Sequence, residues 1–384
     1  MFVIKNADVY APEYLGLKDI LTEGEKIVRI ADHIDEYDSI AEVEKIDLKG
    51  RRLVPGYIDL HEHITGGGGE KGPCTRVPEA RLSELIAAGV TTVVGLLGTD
   101  GVTRSPENLL AKTREFNEEG ITAFMLCGSY GVPPVTLTGS VERDLILIGE
   151  CIGVKTAMSD HRSSNITSAG LTELASMARR GGMLAGCAGY TTIHMGSGKA
   201  GLQPLFECLE NSDIPVEKFL PTHITRTPEL FEQGLRFTDM GGMIDATAGS
   251  DEESLKETAE MIAAYFAHDE SASHMTLTSD GFGSMPVFDE HMVFAGMTWG
   301  SPKSLHRQLR VLTEQMNIPL SKALRLLTVN PAHVLCMDGR KGAVRAGCDA
   351  DMIVYDGDMN IDTVFARGRK AMENGRVLMK GMFE

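Results

Sequence analysis

Six side chains that could bind metal stand within or at the ends of short apolar runs spread along the 384 residues of the chain. They are His61, His63, Lys155, His194, His223 and Asp280. In a strand, residues i and i+2 point to the same side, so His61 and His63 can reach one ion together. Imidazole and carboxylate groups suit Zn2+ or a similar divalent ion. Such an ion makes water nucleophilic at neutral pH, which predicts a metal-dependent hydrolase.

One sequence pattern occurs eight times and would position these residues. In each repeat, an apolar run is followed by a polar loop and then by an amphipathic helical pattern. The runs cover residues 57–63, 91–98, 122–130, 154–160, 190–196, 219–224, 243–249 and 275–281. Strands that alternate with helices pair in parallel, and eight such units favour closure into a (β/α)8 TIM-like barrel. Active sites of these barrels lie at the C-terminal ends of the strands, where the six residues would meet.

Both ends of the chain have a different pattern from the middle. Short strand-like stretches separated by glycine turns occupy residues 1–54 and 344–384. The sequence therefore predicts an α/β protein with two parts. Residues 55–343 would form the barrel, and the two termini together would form a small β-sandwich domain.

Composition narrows the range of partners. The formal net charge of −17 disfavours nucleic acid as a partner. Seven cysteines without a CxxC pair indicate reduced thiols rather than a disulfide framework. The N-terminal stretch has no signal-peptide pattern, and no run of eighteen apolar residues occurs. We therefore expect a cytoplasmic protein without a membrane partner.

Several long strings of the sequence are similar to those of a known family. They are PGYIDLHEH, HITGGGGEKGPCTR, VVGLLGTD, GVKTAMSDHRS, IHMGSGK, LPTHITR, SDGFGS and GCDADMIVYD. In this order they resemble the amidohydrolase superfamily and, within it, the bacterial isoaspartyl (β-aspartyl) dipeptidases. The resemblance spans almost the whole chain. It implies a metallopeptidase that cleaves isoaspartyl dipeptides and assembles as a homo-oligomer.

The resemblance also implies two divalent ions, with Zn2+ as the expected metal. Lys155 would be carboxylated by CO2, because a carbamate offers two anionic oxygens that can bridge two cations. The ligands would divide as His61, His63, Lys155 and Asp280 on one ion, and Lys155, His194 and His223 on the other. A hydroxide bridging the ions would attack the amide, with Asp280 as general base and then general acid. Tyr130 would stabilise the oxyanion.

The remaining residues implied by the resemblance would recognise the substrate. An isoaspartyl dipeptide carries one ammonium and two carboxylates. Glu70 would bind the ammonium, and the planar guanidinium groups of Arg162 and Arg226 would bind carboxylates. Further contacts would come from Gly68, through its backbone, and from the hydroxyls of Thr99 and Ser284.

Three alternatives remain open from the residues alone. A cyclic amidase of the hydantoinase or dihydroorotase type would keep the metal ligands but would not need Glu70, and the GGGGEKGPCTR string counts against it. A non-catalytic scaffold would be expected to lack ligands, whereas all six positions are filled. A sugar-phosphate barrel enzyme would carry a phosphate loop after the seventh or eighth run, where SDGFGS is better explained by Asp280.

Overall fold

The N-terminal segment forms five strands in the computed structural model, which describes residues 1–288 and 294–384. The strands are β1 (Phe2–Tyr10), β2 (Tyr14–Glu23), β3 (Lys26–Ala31), β4 (Glu44–Asp47) and β5 (Arg52–Pro55). Strand β1 is central, because it pairs antiparallel with β2 and parallel with both β4 and β5. Val3, Ile4 and Val9 of this strand are completely buried, which is why it lies inside the sheet.

Eight parallel strands follow and agree in position with the eight apolar runs. They are β6 (Tyr57–Glu62), β7 (Val90–Gly95), β8 (Thr122–Gly128), β9 (Cys151–Met158), β10 (Tyr190–Met195), β11 (Phe219–Thr222), β12 (Ile244–Thr247) and β13 (Met275–Thr278). Strands β6 to β11 form one sheet in sequential order, and β12 pairs with β13. Strand β12 also lies against β11, and β13 lies against β6. The strands thus close into the TIM-like barrel that the eightfold repeat predicts.

Ten α-helices in the described residues connect and flank these strands. They are α1 (Leu82–Ala87), α2 (Pro106–Glu119), α3 (Val141–Leu147), α4 (Ser168–Ala185), α5 (Gln203–Glu210), α6 (Pro228–Asp239), α7 (Glu252–His268), α8 (Ser304–Arg310), α9 (Leu320–Arg325) and α10 (Val329–Val334). Local chemistry sets their ends: Ser105 accepts the Asn108 amide at the start of α2, and Gly120 ends that helix at φ 121°. Among the described helices, none has both the length and the apolar character needed to cross a membrane.

The barrel strands are covered on both faces. Every residue of β6, β7, β9 and β10 is buried, as expected for parallel strands enclosed by helices. A buried carboxylate in the barrel costs free energy unless it is hydrogen-bonded inside the protein. The fully buried Asp245 meets this condition, since its carboxylate accepts hydrogen bonds from Thr222, Thr276 and Thr278. Lys155 and the histidines lie higher in the barrel, toward its C-terminal mouth.

A β-hairpin follows the eighth barrel strand. Its strands are β14 (Ser284–Phe288) and β15 (Phe294–Trp299), which pair antiparallel with Ser284 opposite Trp299. The eight apolar runs do not include this hairpin. A loop is the natural interpretation of SDGFGS, because two glycines and two serines interrupt the apolar pattern there. The hairpin begins beside Asp280 and therefore forms part of the mouth.

The last four strands bring the two termini together. They are β16 (Met352–Tyr355), β17 (Ile361–Ala366), β18 (Arg369–Glu373) and β19 (Arg376–Val377). Strand β16 pairs antiparallel with β5, so that the terminal strands form one nine-stranded mixed sheet. The arrangement of this sheet as a sandwich, and the domain boundaries near residues 54 and 344, stay predictions.

Candidate active site at the mouth of the barrel

Three side chains at the mouth are placed to share one ion. His61 is the fifth residue of β6, and His63 follows the strand. Their Nε2 atoms lie 3.7 Å and 3.1 Å from Oδ1 of Asp280, which sits after β13 in a left-handed conformation with φ 50°. Ligand atoms of the three residues all lie within 4.8 Å of one another. The i, i+2 spacing thus brings both imidazoles to one carboxylate.

Two further imidazoles continue this group. His194 is near the end of β10 and His223 directly follows β11; their ring centroids are 4.5 Å apart, and those of His223 and His61 are 5.0 Å apart. Nδ1 of His223 lies 2.6 Å from the Thr247 hydroxyl. Its Nε2 is buried and has no hydrogen-bond partner among the described residues. A buried polar atom without a partner is costly, and a metal ion would satisfy it.

Lys155 lies in β9 beneath these rings and is completely buried. Its Nζ is 3.2 Å from Nε2 of His61, and no carboxylate in the described part of the chain comes within ion-pair distance of it. Burial lowers the pKa of Lys155 to about 7, although Asp280 raises it and Arg162 lowers it further. The amine is therefore partly neutral near pH 7, and the neutral form is the one that can react with CO2.

The charges of the group favour a divalent cation. Burial lowers the pKa of His194 to about 3 and holds the pKa values of His61 and His223 well below the ordinary range. Burial alone would raise the pKa of Asp280, but the hydrogen bond from His63 and the nearby imidazoles lower it below its usual value. Neutral imidazoles and an ionised carboxylate are the protonation states that bind metal, so the residues present fit a metal site.

A second polar group lies above this cluster and centres on Glu70. The Thr99 hydroxyl donates to Oε1 of Glu70 at 3.2 Å, and the Ser284 hydroxyl lies 3.0 Å and 3.1 Å from its two oxygens. Nη1 of Arg162 is 3.5 Å from Oε1. Gly68, in the loop before Glu70, has φ 82°, and a Cβ added there would lie 2.3 Å from the Thr75 carbonyl oxygen. The glycine-rich loop therefore needs glycine at this position to carry Glu70 into the mouth.

Tyr130 connects the two groups. Its hydroxyl lies 2.7 Å from Nδ1 of His194, and the Arg162 guanidinium stands 5.2 Å from the centre of its ring. Burial raises the pKa of the Tyr130 phenol well above its ordinary value, although Arg162 opposes this. The phenol therefore stays protonated and can donate a hydrogen bond. Arg226 completes the arrangement, with Nη1 3.7 Å from Asp160.

One cavity of about 1300 Å³ contains the whole arrangement. Of the thirteen site residues predicted from sequence, all line this cavity except His61 and Lys155, which are buried beneath it. The opposite wall is partly apolar and includes Phe231, Met261 and Met297. Asp160 also lines the cavity and was not predicted. It ends the fourth apolar run, and an acidic residue at a strand end is the same signal that identified Asp280.

Known proteins are similar to this chain in sequence and in structure. The model of the Amidohydrolase family matches residues 52–371. The crystal structure of a β-aspartyl dipeptidase from Fervidobacterium islandicum AW-1, in complex with β-Asp-Leu, superposes with a TM-score of 0.90; it is 42% identical, and 98% of each chain is covered. A dihydroorotase from Elusimicrobium minutum is 24% identical over 92% of this chain and 88% of its own length. A dihydropyrimidinase from Brevibacillus agri, at 16% identity and a TM-score of 0.67 over 99% of this chain and 96% of its own, shares the fold.

Proposed function

The chain belongs to the amidohydrolase family, and we propose that it is a metal-dependent hydrolase that cleaves the β-aspartyl bond of dipeptides. The observation that carries this proposal is the position of Glu70, which Thr99, Ser284 and Arg162 hold in the same cavity that His63, His194 and His223 line. Glu70 and the two arginines that line the same cavity, Arg162 and Arg226, match a ligand with one ammonium and two carboxylates. The 42% identical relative whose structure contains β-Asp-Leu supports the same assignment.

The substrate would lie across the cavity between its charged groups. Glu70 would accept the α-ammonium of the aspartyl residue, since its carboxylate is exposed to the cavity and already oriented by two hydroxyls. Arg162 and Arg226 would bind the two carboxylates. The backbone of Gly68 would add a contact to the aspartyl residue. The scissile carbonyl would then lie over His63 and Asp280.

The metal ligands would be those that the mouth brings together. His61, His63, Lys155 and Asp280 would hold one ion, and Lys155, His194 and His223 the other. The grouping of His61, His63 and Asp280 supports the first set, and the unpartnered Nε2 of His223 and the lowered pKa of His194 support metal binding by the second. We propose Zn2+ as the metal, because nitrogen ligands predominate. The buried amine of Lys155, with its pKa lowered to about 7, supports a CO2-derived carbamate that joins both ions.

The bound cations would lower the pKa of water from 15.7 toward about 7 and polarise the scissile carbonyl. The side chains supply the proton transfers. Asp280 would take the proton from the attacking water and then give it to the leaving amino group. The protonated Tyr130 would turn its hydroxyl from His194 to the developing oxyanion. The two substrate carboxylates, each bound by an arginine, would keep the scissile amide oriented toward Asp280.

A cyclic amidase is the second candidate, because a dihydroorotase matches 92% of the chain at 24% identity. Parallel assays with β-Asp-Leu, α-Asp-Leu and dihydroorotate distinguish the two functions. We expect the metal-loaded protein to release leucine from the β-linked dipeptide alone. Hydrolysis of dihydroorotate without cleavage of β-Asp-Leu would support the second candidate and overturn the first.

Replacing Glu70 by glutamine tests the ammonium contact. The loss of one charged partner of a desolvated pair costs about 2–5 kcal/mol. We therefore expect Glu70→Gln to lower kcat/KM for β-Asp-Leu by about 30- to 5000-fold while the bound metal is retained. Steady-state kinetics and metal analysis of the same preparation measure both quantities.

The matched control is Glu142→Gln. Glu142 is also paired with an arginine, Arg180, but on the outer surface of α3 and α4. We expect this variant to keep the kinetics of the unmodified protein. N-acetyl-β-Asp-Leu gives a second control, because it has no ammonium. Acetylation of the substrate should lower turnover by the unmodified protein much more than turnover by the Glu70 variant. Equal losses in the two proteins would show that Glu70 does not bind the ammonium group.

A further inference from the structure

Asp160 is a buried acidic residue that contacts three residues of the candidate site, Arg162, His194 and Arg226. It lies two residues after β9, and its side chain is 3% exposed. Its Oδ1 accepts the backbone N–H of Arg162 at 2.8 Å and Nε of the same residue at 3.0 Å. Its Oδ2 accepts Nη2 of Arg162 at 2.9 Å. The carboxylate thus binds one whole edge of the guanidinium group.

The same carboxylate reaches two other groups of the site. Oδ2 of Asp160 lies 3.1 Å from Nε2 of His194 and 3.7 Å from Nη1 of Arg226. A single buried anion therefore contacts both arginines proposed to bind carboxylates and one histidine proposed to bind metal. A purely structural ion pair would need only one of these cationic partners, whereas Asp160 contacts three groups of the candidate site.

The backbone around Asp160 is built to hold this position. Ser159 has φ 54°, and its carbonyl oxygen accepts the Gly198 amide at 2.6 Å. An added Cβ would lie 2.3 Å from that oxygen at Gly196 and 2.5 Å at Gly198. Both positions after β10 therefore require glycine, since any side chain would push the two segments apart. Their close approach sets Asp160 beside His194.

We propose that Asp160 is a positioning residue that aims Arg162 at a substrate carboxylate and His194 at the metal; this inference rests on the proposed function. The Nε and Nη2 edge of Arg162 is occupied by Asp160, and Nη1 points toward Glu70. A ligand carboxylate can therefore approach Arg162 only from the Nη1 side. The anion also offsets part of the positive charge of the two neighbouring arginines, which would otherwise repel each other.

The effect on His194 follows from the same contact. When Nε2–H of His194 donates to Asp160, the ring has its hydrogen on Nε2 and a free electron pair on Nδ1. That atom lies 2.7 Å from the Tyr130 hydroxyl, and in this tautomer its electron pair is available to a metal ion. A carboxylate behind a histidine commonly fixes the tautomer and the orientation with which the histidine binds metal.

Asp160→Asn in the full chain tests this proposal. Asparagine has nearly the same shape, but its amide N–H2 cannot accept a hydrogen bond from Arg162. We expect KM for β-Asp-Leu to rise by about 10- to 150-fold, with a smaller change in kcat, because a hydrogen bond between charged groups is lost. We also expect the variant to retain fewer metal ions per chain after dialysis, since loss of such a partner weakens binding by about 10- to 100-fold.

A double-mutant cycle separates positioning from stability. If Asp160 acts on KM through Arg162, adding Asp160→Asn to Arg162→Lys should raise KM little further. Asp19→Asn is the matched control, because Asp19 is equally buried and accepts the amides of Asn6 and Ile34 far from the site. This control should unfold more easily and keep both KM and metal content.

Unchanged KM and unchanged metal content in Asp160→Asn would overturn the proposal and leave a structural ion pair. If that variant does not fold, Asp160→Glu keeps the buried charge but displaces the carboxylate by about one C–C bond, roughly 1.5 Å. A wild-type KM in Asp160→Glu would likewise overturn the proposal. If the unmodified protein fails to cleave β-Asp-Leu, the proposed function fails, while metal retention still tests the contact between Asp160 and His194.

Discussion

Asp280→Asn should lower kcat for β-Asp-Leu by about 10⁴-fold, at the upper end of what a general acid–base group contributes. The residue has two proposed tasks, as a metal ligand and as the group that carries the proton from water to the leaving amine. Its carboxylate lies 3.1 Å from Nε2 of His63, and the hydrogen bond and nearby imidazoles keep its pKa low enough for it to remain ionised. Asparagine keeps the shape but cannot take a proton. Single-turnover and steady-state rates on the metal-loaded variant measure the loss.

Asp269→Asn is the matched control for this change. Asp269 accepts hydrogen bonds from Tyr265 and Ser271 and contacts His274, at the end of α7 and outside the cavity. We expect this control to be less stable to denaturant but to keep its kcat. A kcat for Asp280→Asn within tenfold of the unmodified protein would show that another group carries the proton.

Lys155→Met should lower kcat by at least about 10³-fold, because methionine fills the same space but cannot form a carbamate that joins two ions. The metal content should fall below that of the unmodified protein for the same reason. Metal analysis after dialysis and assays of β-Asp-Leu cleavage measure the two effects. Retention of full activity would exclude a bridging role for this lysine.

The same substitution should stabilise the metal-free protein. Burial lowers the pKa of Lys155 to about 7 from an ordinary 10.5, so the unfolded chain binds more protons between these pH values. The free energy of unfolding of the metal-free protein therefore rises with pH across this window, and below pH 7 the full penalty is present. Each pKa unit corresponds to about 1.4 kcal/mol, so the variant should be more stable by several kcal/mol at pH 7.

Urea unfolding in the presence of a chelator, at several pH values between 6.5 and 10, measures this difference. We expect the advantage of Lys155→Met to shrink as the pH rises toward 10. Lys256→Met on the exposed face of α7 is the control, and it should show no comparable dependence on pH. Greater stability of the unmodified metal-free protein at pH 7 would contradict the burial argument.

Much of the fold follows from the sequence because its signals are local. Each barrel strand is a short apolar run bounded by loop residues, and each helix between strands has its own periodic face. The pairing of His61 and His63 is also local, since a spacing of two residues fixes their common direction in any strand. Placing the remaining candidate ligands requires only that parallel strands end at the same edge of the barrel.

Contacts made across the barrel could not be predicted in this way. The network of Asp160 depends on Arg162 nearby but also on His194 and Arg226, which lie on other strand ends. Nothing in the spacing of these residues fixes their distances. The hairpin of β14 and β15 was not predicted for a related reason. Its two strands pair with each other, and the glycine-rich segment before β14 hides the alternation of apolar and polar residues.

The orientation of Tyr130 is a further feature that only the structure provides. The sequence places it at the end of the third run, and the resemblance gives it a role. Its hydroxyl in fact contacts Nδ1 of His194 and its ring packs against Arg162. Packing inside a close-packed mouth, rather than a local pattern, determines this orientation.

Turnover of β-Asp-Leu, measured while Zn2+ is added to chelator-treated protein with bicarbonate present, decides whether this protein is a metal-dependent β-aspartyl dipeptidase. We expect no cleavage before metal is added and a rise to a plateau at two equivalents per chain, with α-Asp-Leu uncleaved throughout. Full turnover without metal, or no cleavage of β-Asp-Leu after two equivalents are bound, would contradict the account.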